Sequence, residues 1–325
     1  MASPAFPERG KAGLSFFCPI SAHAFIDLSG SERTMTREVR QAIRICPEHV
    51  RQALTDLCAG DELGLEELRF RTGRKMQART NSRAYDLQIP VTQDLLNELT
   101  ERATRQSAYA MQDMLRCGFV TLAGGHRLGI CGTAVLRERE IQTIRSISSL
   151  NLRIARELRG VGESCAAYLW THPASTLLFG APGAGKTTLL RDVIRLLSDR
   201  HGRRVCVVDD RQEIAACLDG MPQFDLGGNT DVLSGAPKGK SMELLLRSMN
   251  PQWIALDEIT AEEDIQAILR ASYCGVKFLA TAHAGSRQEL FSRPLYRRLM
   301  EAGIFRNLIC LSADHRISIE RGETG

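Results

Sequence analysis

Residues 180–187, Gly-Ala-Pro-Gly-Ala-Gly-Lys-Thr, limit what this chain can fold into more than any other stretch. They fit GxxxxGK[ST] at every fixed position. An apolar run, Thr176–Phe179, ends just before them, and helical spacing opens at Lys186. A glycine-rich turn between a strand and a helix points backbone N–H groups inward, where they cradle phosphate oxygens at the positive end of the helix. Gly180, Ala181, Pro182, Gly183, Ala184 and Gly185 form that cradle, continued by Thr188 on the helix. Lys186 sets a point charge against the outer phosphates, and the Thr187 hydroxyl is of the type that ligates Mg²⁺. The expected ligands are therefore ATP and Mg²⁺. Lysine is scarce, six against 36 arginines, so a lysine inside a glycine loop stands out. The arginine excess carries no reading of its own, because the arginines are spread along the chain.

From about Gly160 the chain repeats strand, turn and helix. The strands read as Thr176–Phe179, Val205–Val208, Trp253–Leu256 and Lys277–Thr281; the helices open at Lys186 and span Ser241–Met249 and Ala261–Tyr273. Short apolar runs alternating with helices predict a parallel sheet covered on both faces. Trp253–Leu256 ends in Asp257 and Glu258: Asp257 suits the Mg²⁺ shell, and Glu258 is a candidate to orient and deprotonate water. Val205–Val208 falls between the two motifs in sequence, the order expected when an extra strand lies between the phosphate strand and the Asp strand. RecA-like, AAA-type and ABC-type ATPases share that arrangement. His283, ending the next strand, is placed to sense the γ-phosphate. Asp209-Asp210-Arg211-Gln212-Glu213 also falls at the carboxyl end of the sheet, where ligands bind in open α/β folds. Glu213 is thus a second candidate for water activation, and the sequence leaves the choice between Glu213 and Glu258 open.

The preceding region, about 36–155, reads as a small α+β domain. Pro47 divides a helical stretch over 36–58, and helical spacing returns at 92–104 and 108–117. Glu66–Arg71 and Ile141–Ile154 alternate as strands do, and Gly124-Gly125 separates two short strands. The fold class is therefore α/β, a RecA-like P-loop ATPase core over 159–325 preceded by a small α+β domain over 35–158. Residues 1–34 read as a disordered tail or as the product of a start codon placed too early. A signal peptide fits poorly, because Pro19, Ser21 and His23 interrupt the apolar stretch. A net charge of +4 implies neither a nucleic-acid nor a membrane partner by itself. Ten cysteines without a CxxC pair read as reduced thiols in the cytosol, and no apolar run is long enough to span a bilayer.

Several motifs together resemble one family. GAPGAGKTTLLRD, VVDDRQEIA, PKGKSMELLLRSMNPQWIALDEI and ATAHA, with EELRFRTGR, GGHRLGICG and SISSLNLRIARE in the small domain, resemble the stage III sporulation protein AA family over roughly 36–320. These are secretion-superfamily ATPases, related to type II and type IV secretion and pilus motors. The chain departs from the family's tendencies at Thr260 and Asp210, and neither departure removes a charge that ATP chemistry needs. The resemblance implies a cytoplasmic ATPase, peripheral to a membrane complex between mother cell and forespore. It further implies a homo-oligomeric, hexameric ring and membrane proteins of a sporulation channel complex as partners. Charge developing on the γ-phosphate needs a cation, often an arginine from a neighbouring subunit. Arg69, Arg71 and Arg153, within the family-like motifs, and Arg145, directly before one of them, are the candidates.

Two other readings remain open at this level. One is a motor acting on nucleic acid, disfavoured by 6% aromatics and balanced charge. The other is a scaffold that binds ATP without turnover. The loop Asp225–Lys240, rich in glycine, is expected to change shape with nucleotide or to be a disordered linker.

Overall fold

The computed structural model describes residues 14–16, 35–58, 64–80 and 83–321. Within the expected N-terminal tail, β1 (Leu14–Phe16) pairs antiparallel with the last strand; the rest of 1–34 lies outside the described residues. The chain divides into two compact units. One contains Asp27–Glu157 and also Ala216–Phe224; the other contains Leu158–Ala215 and Asp225–Gly325, with β1.

The first unit opens with α1 (Arg37–Ala42), where the Thr36 hydroxyl accepts from the Val39 N–H and caps the helix. Pro47 divides the helical stretch as expected: a 3₁₀ turn at Ile43–Ile45 ends one piece and α2 (Glu48–Cys58) begins the next. Then come β2 (Leu65–Arg71), β3 (Lys75–Thr80), β4 (Ala84–Pro90), α3 (Gln93–Ala103), α4 (Ala108–Cys117), β5 (Phe119–Thr121), β6 (Arg127–Arg137) and β7 (Glu140–Arg153). The strands form one antiparallel sheet in the order β4-β3-β2-β7-β6-β5. Period-two patterning decides which face is dry. Leu68 and Phe70 of β2 lie opposite Leu152 and Leu150 of β7, and all four are buried with Val50, Leu54, Leu96 and Leu99 from the helices. The segment Ala216–Phe224 is held in this unit by the Gln223 side chain, which accepts from the Gly124 N–H at 2.9 Å, and by an Asp219–Arg105 ion pair.

The second unit contains α5 (Glu163–Thr171), β8 (Thr176–Gly180), α6 (Lys186–Asp199), β9 (Val205–Asp209), β10 (Thr230–Ser234), α7 (Lys238–Ser248), β11 (Trp253–Leu256), α8 (Glu262–Ser272), β12 (Lys277–His283), α9 (Arg287–Ser292), α10 (Pro294–Glu301), β13 (Asn307–Leu311) and β14 (Ile317–Arg321). Its sheet runs β1-β14-β13-β8-β12-β11-β9-β10; β14 is antiparallel to both its neighbours and every other pairing is parallel. Leu177, Phe179, Ile254, Leu256 and Phe278 pack with Met242, Leu245, Ile265 and Ile268 of α7 and α8. The strand between β8 and β11 is β12, while β9 lies beyond β11, so the extra strand is present and comes from later in the chain. The disordered-linker reading of Asp225–Lys240 is corrected: Thr230–Ser234 is a sheet strand in parallel register with β9, and α7 already begins at Lys238. Alternation there is masked by glycines on either side.

A histidine in the small unit ties its stability to pH. His126 is 1% exposed, and its Nδ1 accepts from the Ala155 N–H at 3.0 Å. Burial pushes its pKa down to about 4, against a smaller upward pull from Glu38. A base whose folded pKa is depressed contributes stability above its unfolded pKa of about 6.5, lost as pH falls toward the folded value. The small unit should lose about 3 kcal/mol between roughly pH 6.5 and 4 from this group alone. Denaturant melts across that window should show the loss in the wild-type chain, and His126→Asn should remove this component.

Candidate phosphate-binding site

The catalytic candidates converge at the carboxyl edge of the parallel sheet. Gly180 ends β8 where the Leu311 carbonyl of β13 crowds it: a Cβ there would sit 2.3 Å from that oxygen, so only glycine fits. The loop turns through Gly183 and Gly185, both at positive φ, and α6 starts at Lys186. The free backbone N–H groups at its N-terminus form the positive end of the helix dipole.

The Lys186 side chain folds back beneath this loop. Its Nζ donates to the carbonyls of Gly180 and Ala181, both at 3.0 Å, and to His283 Nδ1 at 2.8 Å. Burial lowers its pKa, and the Glu258 and Asp257 carboxylates pull it back up. An ammonium cannot accept, so His283 Nδ1 is the acceptor and its proton sits on Nε2. Nε2 faces Glu258 Oε2 at 3.2 Å, and the same oxygen accepts from Arg211 at 3.3 Å. Lys186 of α6, His283 at the end of β12, Glu258 after β11 and Arg211 after β9 thus form one continuous polar chain. The turn after Glu258 is fixed by Ile259, whose N–H donates to Thr281 and whose carbonyl accepts from the Tyr296 hydroxyl.

Asp257 is buried, and its Oδ1 accepts from the Thr281 hydroxyl at 2.8 Å. Among the described residues no protein group hydrogen-bonds its Oδ2. Thr187, in the first turn of α6, is half-buried. A hydroxyl and a carboxylate are the hard oxygen donors Mg²⁺ takes when substrate oxygens and water complete its shell. No cluster of three or more His, Cys, Asp or Glu suited to a metal occurs among the described residues.

The acidic cluster after β9 splits by role. Asp209 is fully buried, and its carboxylate accepts from the backbone N–H groups of Glu213, Ile214 and Ala215 at 2.8–2.9 Å. It therefore holds the turn that carries Glu213. Burial raises its pKa, and the nearby Asp257 charge adds to that, against the three N–H bonds. Asp210 accepts from Lys238 at 2.9 Å, and Lys238, with a side chain only 3% exposed, also lies 3.7 Å from Asp264 at the start of α8. Glu213 is half-buried, and its carbonyl accepts from Arg191.

The arginine candidates lie in the small unit. Arg69 and Arg71 are on β2, Arg145 and Arg153 on β7. Arg69 pairs with Glu67 at 2.7 Å, and Arg153 stands opposite Glu67 in register. Sequence reasoning assigned no role to Asp209, Lys238, Arg211 or His315. His315, in the β13–β14 turn, places Nδ1 3.1 Å from the Ala184 carbonyl of the phosphate loop. Lys238 did carry a signal, as one of six lysines in the chain.

A parallel sheet with one strand between the phosphate strand and the carboxylate strand fits the RecA-like P-loop class. Solved secretion and pilus ATPases share this fold. The Legionella pneumophila ATPase DotB matches with a TM-score of 0.55 at 18% identity, over 82% of this chain and 76% of that one. The pilus retraction motor PilT with bound ADP matches with a TM-score of 0.57 at 15% identity, over 86% and 83%. Within that class the chain belongs to the family described as Sporulation stage III, protein AA, whose model matches residues 36–322. Stage III sporulation protein AA of Bacillus subtilis (strain 168) is 34% identical over 279 residues, 84% of this chain and 91% of that protein. The family resemblance carried by the motifs is thereby confirmed.

Replacing Asp209 strands three backbone N–H groups next to a dry strand end. Asp209→Ala should destabilise the chain by about 3 kcal/mol, since each unsatisfied buried donor costs on the order of 1–3 kcal/mol and part is recovered by removing a buried charge. Urea denaturation measures this; a loss below about 1 kcal/mol would show that water replaces the carboxylate at little cost.

Proposed function

We propose that this chain is an ATP-hydrolysing motor subunit acting on a membrane complex during sporulation. The observation that carries the reading is the polar chain from Lys186 through His283 to Glu258, beside Asp257. Family membership supports the sporulation setting, and the fold shared with DotB and PilT supports a motor.

The N–H groups of 180–187 bind the phosphates, and Lys186 neutralises charge on the outer ones, leaving His283 as its cation turns toward substrate. His283 then reports that shift to Glu258. Glu258, or Glu213 on the turn that Asp209 holds, orients and deprotonates water. Thr187 and Asp257 would hold Mg²⁺, which supplies charge neutralisation between phosphate oxygens. In a hexameric ring an arginine from a neighbouring subunit, among Arg69, Arg71, Arg145 and Arg153, would complete the charge compensation. Partner membrane proteins would be engaged from the cytoplasmic side; among the described residues no helix is long and apolar enough to cross a membrane.

Purified chain should hydrolyse ATP and assemble with it, as read by phosphate release and light scattering. Lys186→Ala should lose turnover by about 100-fold or more, the scale of removing one transition-state charge contact. Glu258→Gln and Glu213→Gln separate the two bases: the water-activating glutamate is the one whose variant still binds ATP but does not hydrolyse it. Wild-type turnover in both Gln variants and in Lys186→Ala would overturn the reading.

A further inference from the structure

The opposite edge of the same sheet carries a feature that ATP chemistry does not use. Strand starts there are joined by backbone bonds: Gln252 N and Trp253 N donate to the Arg204 carbonyl, Lys277 N donates to Gln252, and Arg306 N donates to Ser175. The Ser175 hydroxyl in turn accepts from Phe278 N, next to Lys277. Arg204, Lys277 and Arg306 therefore stand in a row along the edge.

Beside that row, Trp170 at the end of α5 is 46% exposed. His201 stacks on its ring at 4.5 Å and 11°, and the Arg203 guanidinium lies 4.7 Å from the ring centroid. Elsewhere this chain neutralises many of its arginines: Arg69, Arg102, Arg195 and Arg293 all face carboxylates. Among the described residues, Arg203, Arg204, Lys277 and Arg306 form no ion pair. His201 feels the crowding: partial burial first, then the Arg203 and Arg200 charges, hold its pKa down. Unneutralised like charge around a fixed aromatic ring costs stability unless something outside supplies the counter-charge.

We infer that this edge is a docking surface for an acidic protein segment, one rich in Asp and Glu. The inference rests on the reading of the chain as a motor that works on a partner. Guanidinium groups favour carboxylates through paired, charge-assisted hydrogen bonds. Single-stranded nucleic acid fits less well, because it stacks bases on free aromatic faces and the Trp170 ring already stacks with His201 and carries the Arg203 guanidinium. An anionic bilayer fits less well too, since a ring clamped in this way is not free to sit among headgroups. Strands of five residues place this edge on the order of 16 Å from the phosphate loop, so a docked segment leaves the nucleotide site open.

The test uses the full chain and three probes of matched charge: a labelled 15-residue oligoglutamate, a single-stranded oligonucleotide and phosphatidylglycerol vesicles. The oligoglutamate should bind with a strong salt dependence, and Arg203→Glu/Arg204→Glu should weaken it by at least about tenfold while leaving ATP turnover unchanged. Arg139→Glu, a charge reversal in the small unit, and Lys186→Ala should both bind it as wild type. The Lys186 variant separates the two ideas, because it removes hydrolysis without touching this edge. Equal binding by the double variant and wild type, or tighter binding of the oligonucleotide or vesicles than of the peptide, would overturn the inference.

Discussion

A buried ammonium at the carboxyl edge of a parallel sheet sets the terms for everything around it. Lys186 is surrounded by two carbonyls and a histidine; burial lowers its pKa, and the Glu258 and Asp257 carboxylates at the end of a nearby strand oppose that shift. That requires β11 to lie close to β8 without touching it. The intervening β12 supplies the spacing and also both polar residues that bind the two partners, Thr281 for Asp257 and His283 for Lys186 and Glu258. Removing a single strand from this order would leave buried charge without compensation, which proteins rarely tolerate.

The acidic residues around the site show how burial sorts identical chemistry into different duties. Asp209 has surrendered its carboxylate to three backbone donors and acts as an internal cap for a turn. Asp210, one residue on, is tied to Lys238 and through it to the start of α8. Glu258 keeps one oxygen shared between an imidazole and a guanidinium. Only groups left with free coordination can move protons or meet a metal, so these structural carboxylates matter by keeping the others in place.

The legible parts were those where local chemistry and fold agree. The loop at 180–187 and the strand ending at Asp257 carry their function in adjacent residues, and Pro47 and Gly124-Gly125 punctuate the small unit where the structure also breaks. Val205–Val208 was read correctly as a strand, yet its place in the sheet depends on the later strand Lys277–His283 inserting ahead of it, a long-range choice no local pattern encodes. Lys75–Thr80 and Ala84–Pro90 passed unnoticed because few large apolar side chains mark their buried face: Met76, Ala78 and Thr80 in one, Leu87 alone in the other. Thr230–Ser234 was hidden by flanking glycines. His315 reaches the phosphate loop only because β13 pairs with β8.

The nine residues from Ala216 to Phe224 leave one unit, join the other and return. The small unit is thus encoded discontinuously, and its last piece lies well inside the portion of the chain that carries the phosphate loop. During synthesis from the N-terminus, its six-stranded sheet can be in place early, but its Gly124 N–H gains Gln223 only after β8, α6 and β9 have left the ribosome. The order of translation therefore leaves the first unit to emerge waiting on a segment made only after the other unit has begun to appear.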